Sequence, residues 1–274
     1  MATAKDAYVS VRETLSKAGI SEPDAKARVI VAEALGIGMA DIFVCKDVDT
    51  AALSKIEAMA QRCVAGEPVQ YVTGRAYFRH LIVHVTPDVL IPRQETELVV
   101  EEAISLIRAN GYKRALDMCT GSGCIAVSLQ TETGIQADAC DLSEKALGVA
   151  MENAGLNNAD IRFFLSDMFG SVTDTYDIIV SNPPYVSDSD YETLEACVRF
   201  FEPRMALTAG DGLEFYRILA NEAGQYLNEG GALVLEIGAD QGRDVTKLLE
   251  AGGFSNVTCK KDYAGRDRIV SARR

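Results

Sequence analysis

The sequence predicts an α/β chain in which a parallel sheet covered by helices follows a small helical bundle and a linking β-hairpin. Three observations predict it. From about residue 94 onward, helical patterns alternate with short apolar runs, the pattern of strands and helices laid down in turn. The first 65 residues hold helical patterns alone, and residues 66–92 hold runs rich in aromatic and β-branched residues. A chain of 274 residues can bury one large core and a second, smaller one.

The elements follow in order. Helical patterns run over about residues 3–17, 23–35 and 50–63. The second has marked ends: Ser21 as its cap, Pro23 in its first turn, Asp24 at its positive dipole end and Gly36 at its C-terminus. Tyr77-Phe78 and the run Leu81-Ile82-Val83-His84-Val85 predict the hairpin. Apolar runs at 115–118, 137–140, 161–164, 177–181 and 232–236 predict the strands of the sheet, and two late runs, 256–259 and 268–271, predict a terminal hairpin. No internal repeat is present in the sequence.

Composition narrows the function. The formal charge is −13; residues 1–75 carry 9 basic and 10 acidic groups, leaving 18 and 30 in the remainder. Neither part is a basic module, which opposes broad attraction to nucleic acid. The sequence has no uninterrupted apolar stretch of membrane-spanning length, and its first residues lack the basic and apolar segments of a secretory signal, so a cytoplasmic protein without membrane attachment is expected. Seven cysteines are scattered without Cys-x-x-Cys spacing, and there are two histidines, His80 and His84; no disulfide framework and no metal site is expected.

Two segments carry chemistry. The strand ending at Asp117 is followed by Cys119, Thr120, Gly121, Ser122 and Gly123, then by an apolar helix. Glycines there let the backbone approach a ligand closely. The next strand ends at Asp141, about 20 residues on, the spacing at which a carboxylate accepts from ribose hydroxyls. The loop lacks both the Gly-x-Gly-x-x-Gly fingerprint and a Gly-Lys-Ser/Thr ending, so a nucleoside without a phosphate chain fits better than a dinucleotide or triphosphate. Further on stand Asn182, Pro183, Pro184 and Tyr185. Two prolines stiffen the backbone and remove two amide donors, freeing nearby carbonyls to accept from a ligand. Asn182 adds a side-chain acceptor and Tyr185 a flat ring, together a clamp for an NH2 group in a planar system.

These motifs resemble the HemK/PrmC family, protein-(glutamine-N5) methyltransferases that act on peptide chain release factors. The likeness extends to Gly66-Glu67-Pro68-Val69-Gln70-Tyr71 with Gly74, to residues 89–97, to Phe201-Glu202-Pro203 with Ala206-Leu207, to Asp211-Gly212-Leu213, to Leu235-Glu236-Ile237-Gly238 with Gln241, and to residues 262–268. It implies a seven-stranded Rossmann-like S-adenosylmethionine-dependent methyltransferase domain over residues 93–274, a β-hairpin linker over 66–92 and a helical substrate-recognition domain over 1–65. The implied acceptor is the glutamine of a release factor's Gly-Gly-Gln tripeptide, and the implied product of the cofactor is S-adenosylhomocysteine.

By the same resemblance, Cys119, Thr120, Gly121, Ser122 and Gly123 hold the methionine part of the cofactor, Asp141 its ribose, and Asp167 with Met168 its adenine. Asn182 to Tyr185 hold the glutamine amide, with Asn182 at the junction with the cofactor, and residues 93–97 cover it. Two positions depart from the family: Cys119 stands where glycine is usual, and Gln94 where proline is usual. A monomer is expected. The other readings are glutamine methylation of a ribosomal protein, methylation of an exocyclic amino group in DNA or RNA, and a non-catalytic module that kept the fold.

Overall fold

The computed structural model describes residues 2–45 and 47–274. The chain forms two compact units, one of residues 1–75 with 195–201 and the other of residues 76–194 with 202–274.

The first unit is helical: α1 (Ala4–Lys17), α2 (Pro23–Leu35), α3 (Thr50–Val64), α4 (Val69–Thr73) and, from the later segment, α9 (Ala196–Phe201). Its core is built from apolar residues three and four apart on facing helices, among them Leu15, Ile30, Val31, Ile56 and Met59. Capping sets where the helices start. Thr3 and Asp6 form a reciprocal capping box on α1, and the Asp49 side chain accepts from Ala52 N at 2.7 Å on α3. Ser21 does not cap α2: Glu22 holds the cap position in left-handed backbone at φ 52° with no side-chain bond, and Ser21 Oγ accepts from Lys26 Nζ at 3.2 Å. Pro23 in the first turn makes an N-cap acceptor less necessary, because its missing amide is one orphan donor fewer. Gly36 closes the helix at φ 64°, as expected.

In the second unit, apart from Arg75 at its start, β1 (Arg75–Phe78) and β2 (Leu81–His84) form the expected two-stranded sheet. There follow α5 (Gln94–Asn110), β3 (Arg114–Met118), α6 (Cys124–Thr133), β4 (Gln136–Asp141), α7 (Glu144–Leu156), β5 (Ile161–Leu165), β6 (Tyr176–Ser181), α8 (Asp188–Tyr191), α10 (Glu214–Tyr226), β7 (Leu227–Glu236), α11 (Gly242–Ala251), β8 (Ser255–Lys261) and β9 (Asp267–Arg273). The seven strands from β3 onward order as β5-β4-β3-β6-β7-β9-β8. β5 to β7 in that row pair in parallel, and β9 pairs antiparallel with both β7 and β8, which makes the sheet mixed and realises the predicted terminal hairpin.

The central strands read as unbroken apolar runs because helices cover them: Ile178, Ile179, Val180, Leu233 and Val234 are fully buried. Leu219 and Ala223 of α10, with Val245 and Leu249 of α11, complete one core with Leu116, Ile179 and Leu233 of the strands. α5, α6 and α7 pack on one another and on the sheet separately from that pair.

Candidate functional site

From β3 the chain winds outward through β4 and β5, then returns to add β6 on the other side of β3. Between β3 and β6 the winding direction reverses, and in open α/β sheets ligands bind in the crevice beyond the strand ends at such a reversal. The register brings both predicted motifs to this crevice. Met118 pairs with Ser181, and Ser181 Oγ donates to Met118 O at 2.7 Å, so Cys119 and Asn182 leave adjacent strands side by side.

The turn after β3 is held by its own polar groups. Asp117 is buried, and its Oδ2 accepts from Thr120 Oγ1 at 2.6 Å and from Ala126 N at 3.1 Å, while Oδ1 has no partner. Burial pushes its carboxyl up to about 7, against the pull of those two hydrogen bonds. Asp141 latches the turn: Oδ2 accepts from Gly121 N at 2.9 Å and Oδ1 from Ser143 N at 2.9 Å, leaving further lone pairs on both oxygens toward the cleft. Burial raises this carboxyl as well.

Backbone angles explain the glycines and one exception. Gly123 sits at φ 80°, and a Cβ there would lie 3.0 Å from Ala150 Cβ, so this position serves the packing of the turn on α7. Cys119 adopts φ 61°, a left-handed conformation that costs a non-glycine residue roughly 1–2 kcal/mol. Its side chain is accommodated against Met168, itself at φ 44°, with the two sulfurs 3.9 Å apart. Burial raises the thiol well above its ordinary value, so it is an apolar filler rather than a nucleophile.

The turn after β6 is tied into a buried polar group. Asn182 Nδ2 donates to Thr96 Oγ1 at 3.3 Å; Thr96 Oγ1 donates to Glu236 Oε2 at 2.6 Å; and the Tyr185 hydroxyl donates to Glu236 Oε1 at 3.3 Å. Tyr185 O accepts from Gln241 Nε2 at 2.9 Å, which fixes the far end of the double-proline segment. Glu236 is 1% exposed, and burial pushes its carboxyl up to about 7 against the pull of Thr96, Arg268 and Tyr185.

Together these turns form two walls of a cleft that opens to solvent. Of the residues predicted from sequence, Cys119, Thr120, Gly121, Ser122, Asp141, Asp167, Met168, Asn182 and Pro184 line it. Gly123, Pro183 and Tyr185 stand behind the lining: Pro183 is buried, and the Tyr185 hydroxyl is turned to Glu236. From residues 93–97, Arg93 and Thr96 reach the cleft. Glu202 secures this wall, accepting from Ile91 N at 3.1 Å and pairing with the Arg93 guanidinium.

The lining tests what the cleft can hold. Asp88, Asp141 and Asp167 present three carboxylates, of which Asp88 pairs with Lys145 Nζ at 3.2 Å, and the Arg93 guanidinium in the lining is partnered by Glu202. Such a field opposes a phosphate chain and suits a ligand with a positive centre. Leu90, Ile125, Leu142, Met168 and Phe215 supply apolar surface for a base and an aliphatic chain. Among the described residues, no group of three or more His, Cys, Asp or Glu is placed to hold a metal ion, and no helix is long and apolar enough to cross a membrane.

Sequence reasoning missed the contact of Thr96 with Glu236 and the anchoring by Glu202. A signal was present for Glu236: a carboxylate closing the apolar run Ala232-Leu233-Val234-Leu235 must be partnered once buried. Nothing local to that run names the partner.

Comparison with known proteins shows the family. The Methyltransferase small domain family matches residues 96–215, and the PrmC N-terminal domain family matches residues 6–74. The release factor glutamine methyltransferase of Cereibacter sphaeroides is 40% identical, over 98% of this chain and 98% of its own length. That of Agrobacterium fabrum is 36% identical, over 100% of this chain and 98% of its own. The 16S rRNA N2 G1207 methyltransferase of T. thermophilus, solved in complex with AdoMet and guanosine, shares the fold: it is 18% identical, the match covers 73% of this chain and 49% of that one, and the TM-score is 0.56.

Proposed function

The chain belongs to the release factor glutamine methyltransferase family, an S-adenosylmethionine-dependent enzyme class, and from that premise we propose that it methylates the side-chain amide nitrogen of the glutamine in the Gly-Gly-Gln motif of a peptide chain release factor. The observation that carries the reading is the β3–β6 register, which sets the acidic, glycine-bearing turn directly beside the acceptor-rich Asn182-Pro183-Pro184-Tyr185 turn. A methyl donor and a planar amide are the pair of ligands those two turns suit.

S-adenosylmethionine supplies an electrophilic methyl carbon next to a sulfonium and leaves as S-adenosylhomocysteine. The carboxylates of Asp88, Asp141 and Asp167 favour its positive charge, Asp141 has acceptor capacity left for ribose hydroxyls, and Met168 offers an apolar surface for adenine. Gly121 keeps the turn low enough for close approach.

A glutamine amide nitrogen is a weak nucleophile because its lone pair is delocalised into the carbonyl. Asn182 Oδ1 and the carbonyls freed by Pro183 and Pro184 accept from its two hydrogens, holding the nitrogen in line with the methyl carbon. The nitrogen gains a methyl group, and one of its protons passes to solvent. Tyr185 stiffens this arrangement from behind through Glu236. The helical unit, residues 1–75 with 195–201 rather than the expected 1–65, supplies recognition of the release factor, residues 76–194 with 202–274 carry the catalysis, and the enzyme works as a cytoplasmic monomer without contact to nucleic acid.

The test is incubation of purified enzyme and labelled cofactor with release factor, ribosomal protein and nucleic acid in parallel, followed by mass spectrometry. Label on the Gly-Gly-Gln glutamine alone is the expected result. Label on a nucleobase or on a ribosomal protein in place of it would refute the reading.

A further inference from the structure

An asparagine side chain has nearly the same shape in its two amide orientations, yet only one of them suits the site. With Oδ1 toward the substrate it accepts from an NH2 group; turned over, it presents a second NH2 donor to the first. Shape does not choose between them. Something beyond Asn182 must.

The choice is set by hydrogens that can go only one way. An ionised carboxylate has no hydrogen to give, so Glu236 can only accept. Thr96 has a single hydroxyl hydrogen, and it is committed to Glu236 Oε2 at 2.6 Å. Thr96 Oγ1 therefore offers only lone pairs to its other neighbour, and the group 3.3 Å away on Asn182 must be the donor, Nδ2. The second oxygen of Glu236 is held by the Tyr185 hydroxyl at 3.3 Å, so both ends of the double-proline turn refer back to one buried carboxylate. We propose that Thr96 and Glu236 are positioning residues that fix the orientation of the Asn182 amide, directing Oδ1 to the substrate nitrogen. The inference rests on the reading of Asn182 as the amide acceptor given above.

The surroundings of Glu236 determine how this responds to pH. Facing it are Thr96 and Glu95 of α5, the Tyr185 hydroxyl, the Cys124 thiol of α6, the Tyr216 hydroxyl of α10, which donates to Glu236 O at 2.8 Å, and the buried Arg268 of β9. Burial outweighs the Arg268 charge and carries the carboxyl up to about 7. Above that pH it accepts from Thr96. Below it, the carboxyl acquires a hydrogen of its own and can donate to Thr96, which releases the Thr96 hydrogen toward Asn182 and favours the inverted amide. Turnover at saturating substrates should fall as pH drops through about 7, while Asp117 of the turn after β3, raised to the same range, acts on cofactor Kd and not on this saturated rate.

The test measures kcat at saturating substrates and cofactor Kd for Thr96→Val, Thr96→Ser, Glu236→Gln and Asn182→Ala. Losing one oriented hydrogen bond at the reacting centre predicts a drop of about tenfold in kcat for Thr96→Val with cofactor Kd within about threefold. Thr96→Ser, which keeps the hydroxyl, should recover most of that loss. Glu236→Gln cannot titrate and should flatten the acid limb near pH 7, a readout that stands even if Thr96→Val folds poorly. Thr96→Val retaining wild-type kcat, Thr96→Ser as poor as Thr96→Val, or an acid limb that persists in Glu236→Gln would each overturn the inference. If Asn182→Ala is inactive while Thr96→Val is normal, the orientation claim fails and the amide clamp stands; near-normal Asn182→Ala removes both.

Discussion

The turn after β3 and the turn after β6 leave neighbouring strands at paired positions, yet one is rich in backbone donors and left-handed residues while the other contains two prolines with no amide hydrogen. In the first, Thr120 N, Gly121 N and Gly123 N are spent on Cys140 O, Asp141 Oδ2 and Thr120 O, so the turn closes on itself and exposes a carboxylate to the cleft. In the second, acceptors remain without local donors and the shape is held from behind by Glu236 and Gln241. On the function proposed above, the difference divides two ligands between turns that leave neighbouring strands. Changes in the first should move cofactor affinity, and changes in the second should move turnover.

Asn182→Ala breaks the comparison at its most sensitive point. Removing a polar group aimed at the reacting centre costs about 10²–10³ in kcat, and steady-state assays paired with calorimetric cofactor titration should find that loss with Kd nearly unchanged. Asp141→Ala attacks the other turn. Loss of charge-assisted hydrogen bonds, each about 1.5–3 kcal/mol, should weaken cofactor Kd by about 10–100-fold in the same titration, while kcat at saturation falls far less.

Gly123→Val separates packing from binding within the first turn. With Ala150 Cβ 3.0 Å from the new Cβ position and φ at 80°, both crowding and backbone strain oppose it. Denaturant unfolding should show a loss of about 1–3 kcal/mol, at a position that does not itself line the cleft. The smallest effect is expected from Cys119→Gly. Glycine relieves the left-handed strain at φ 61° but gives up the contact with Met168 and adds freedom to the unfolded chain. Activity should stay within about threefold of wild type, with cofactor Kd equal or tighter; a loss beyond tenfold would show that the thiol is needed.

Much of the architecture was legible from local chemistry. The five apolar runs at 115–118, 137–140, 161–164, 177–181 and 232–236 became β3 to β7, and the late pair became β8 and β9. β7 begins at Leu227, earlier than its apolar run, because residues outside the covered part of a strand need not be apolar. Helix starts were less legible. Ser21, Thr3 and Asp49 are all capping residue types ahead of helical patterns, and only the last two cap. The backbone conformation at Glu22, left-handed at φ 52°, takes the cap position away from Ser21. At the site, the two turns could be named from glycine, proline and an aspartate at fixed spacing, since those residues act on their own backbone or at a set distance along it.

By itself, then, the amino-acid order determined the sheet strands, the three long N-terminal helices, both turns and the family to which the chain belongs, but not the short helices α4, α8 and α9, because backbone restriction and hydrophobic periodicity need several residues to register. Tertiary structure alone decided that Thr96 meets Glu236 across 140 positions and that Glu202 reaches back 109 positions to Arg93. A buried carboxylate requires partners, and packing rather than sequence spacing selects which groups arrive to satisfy it.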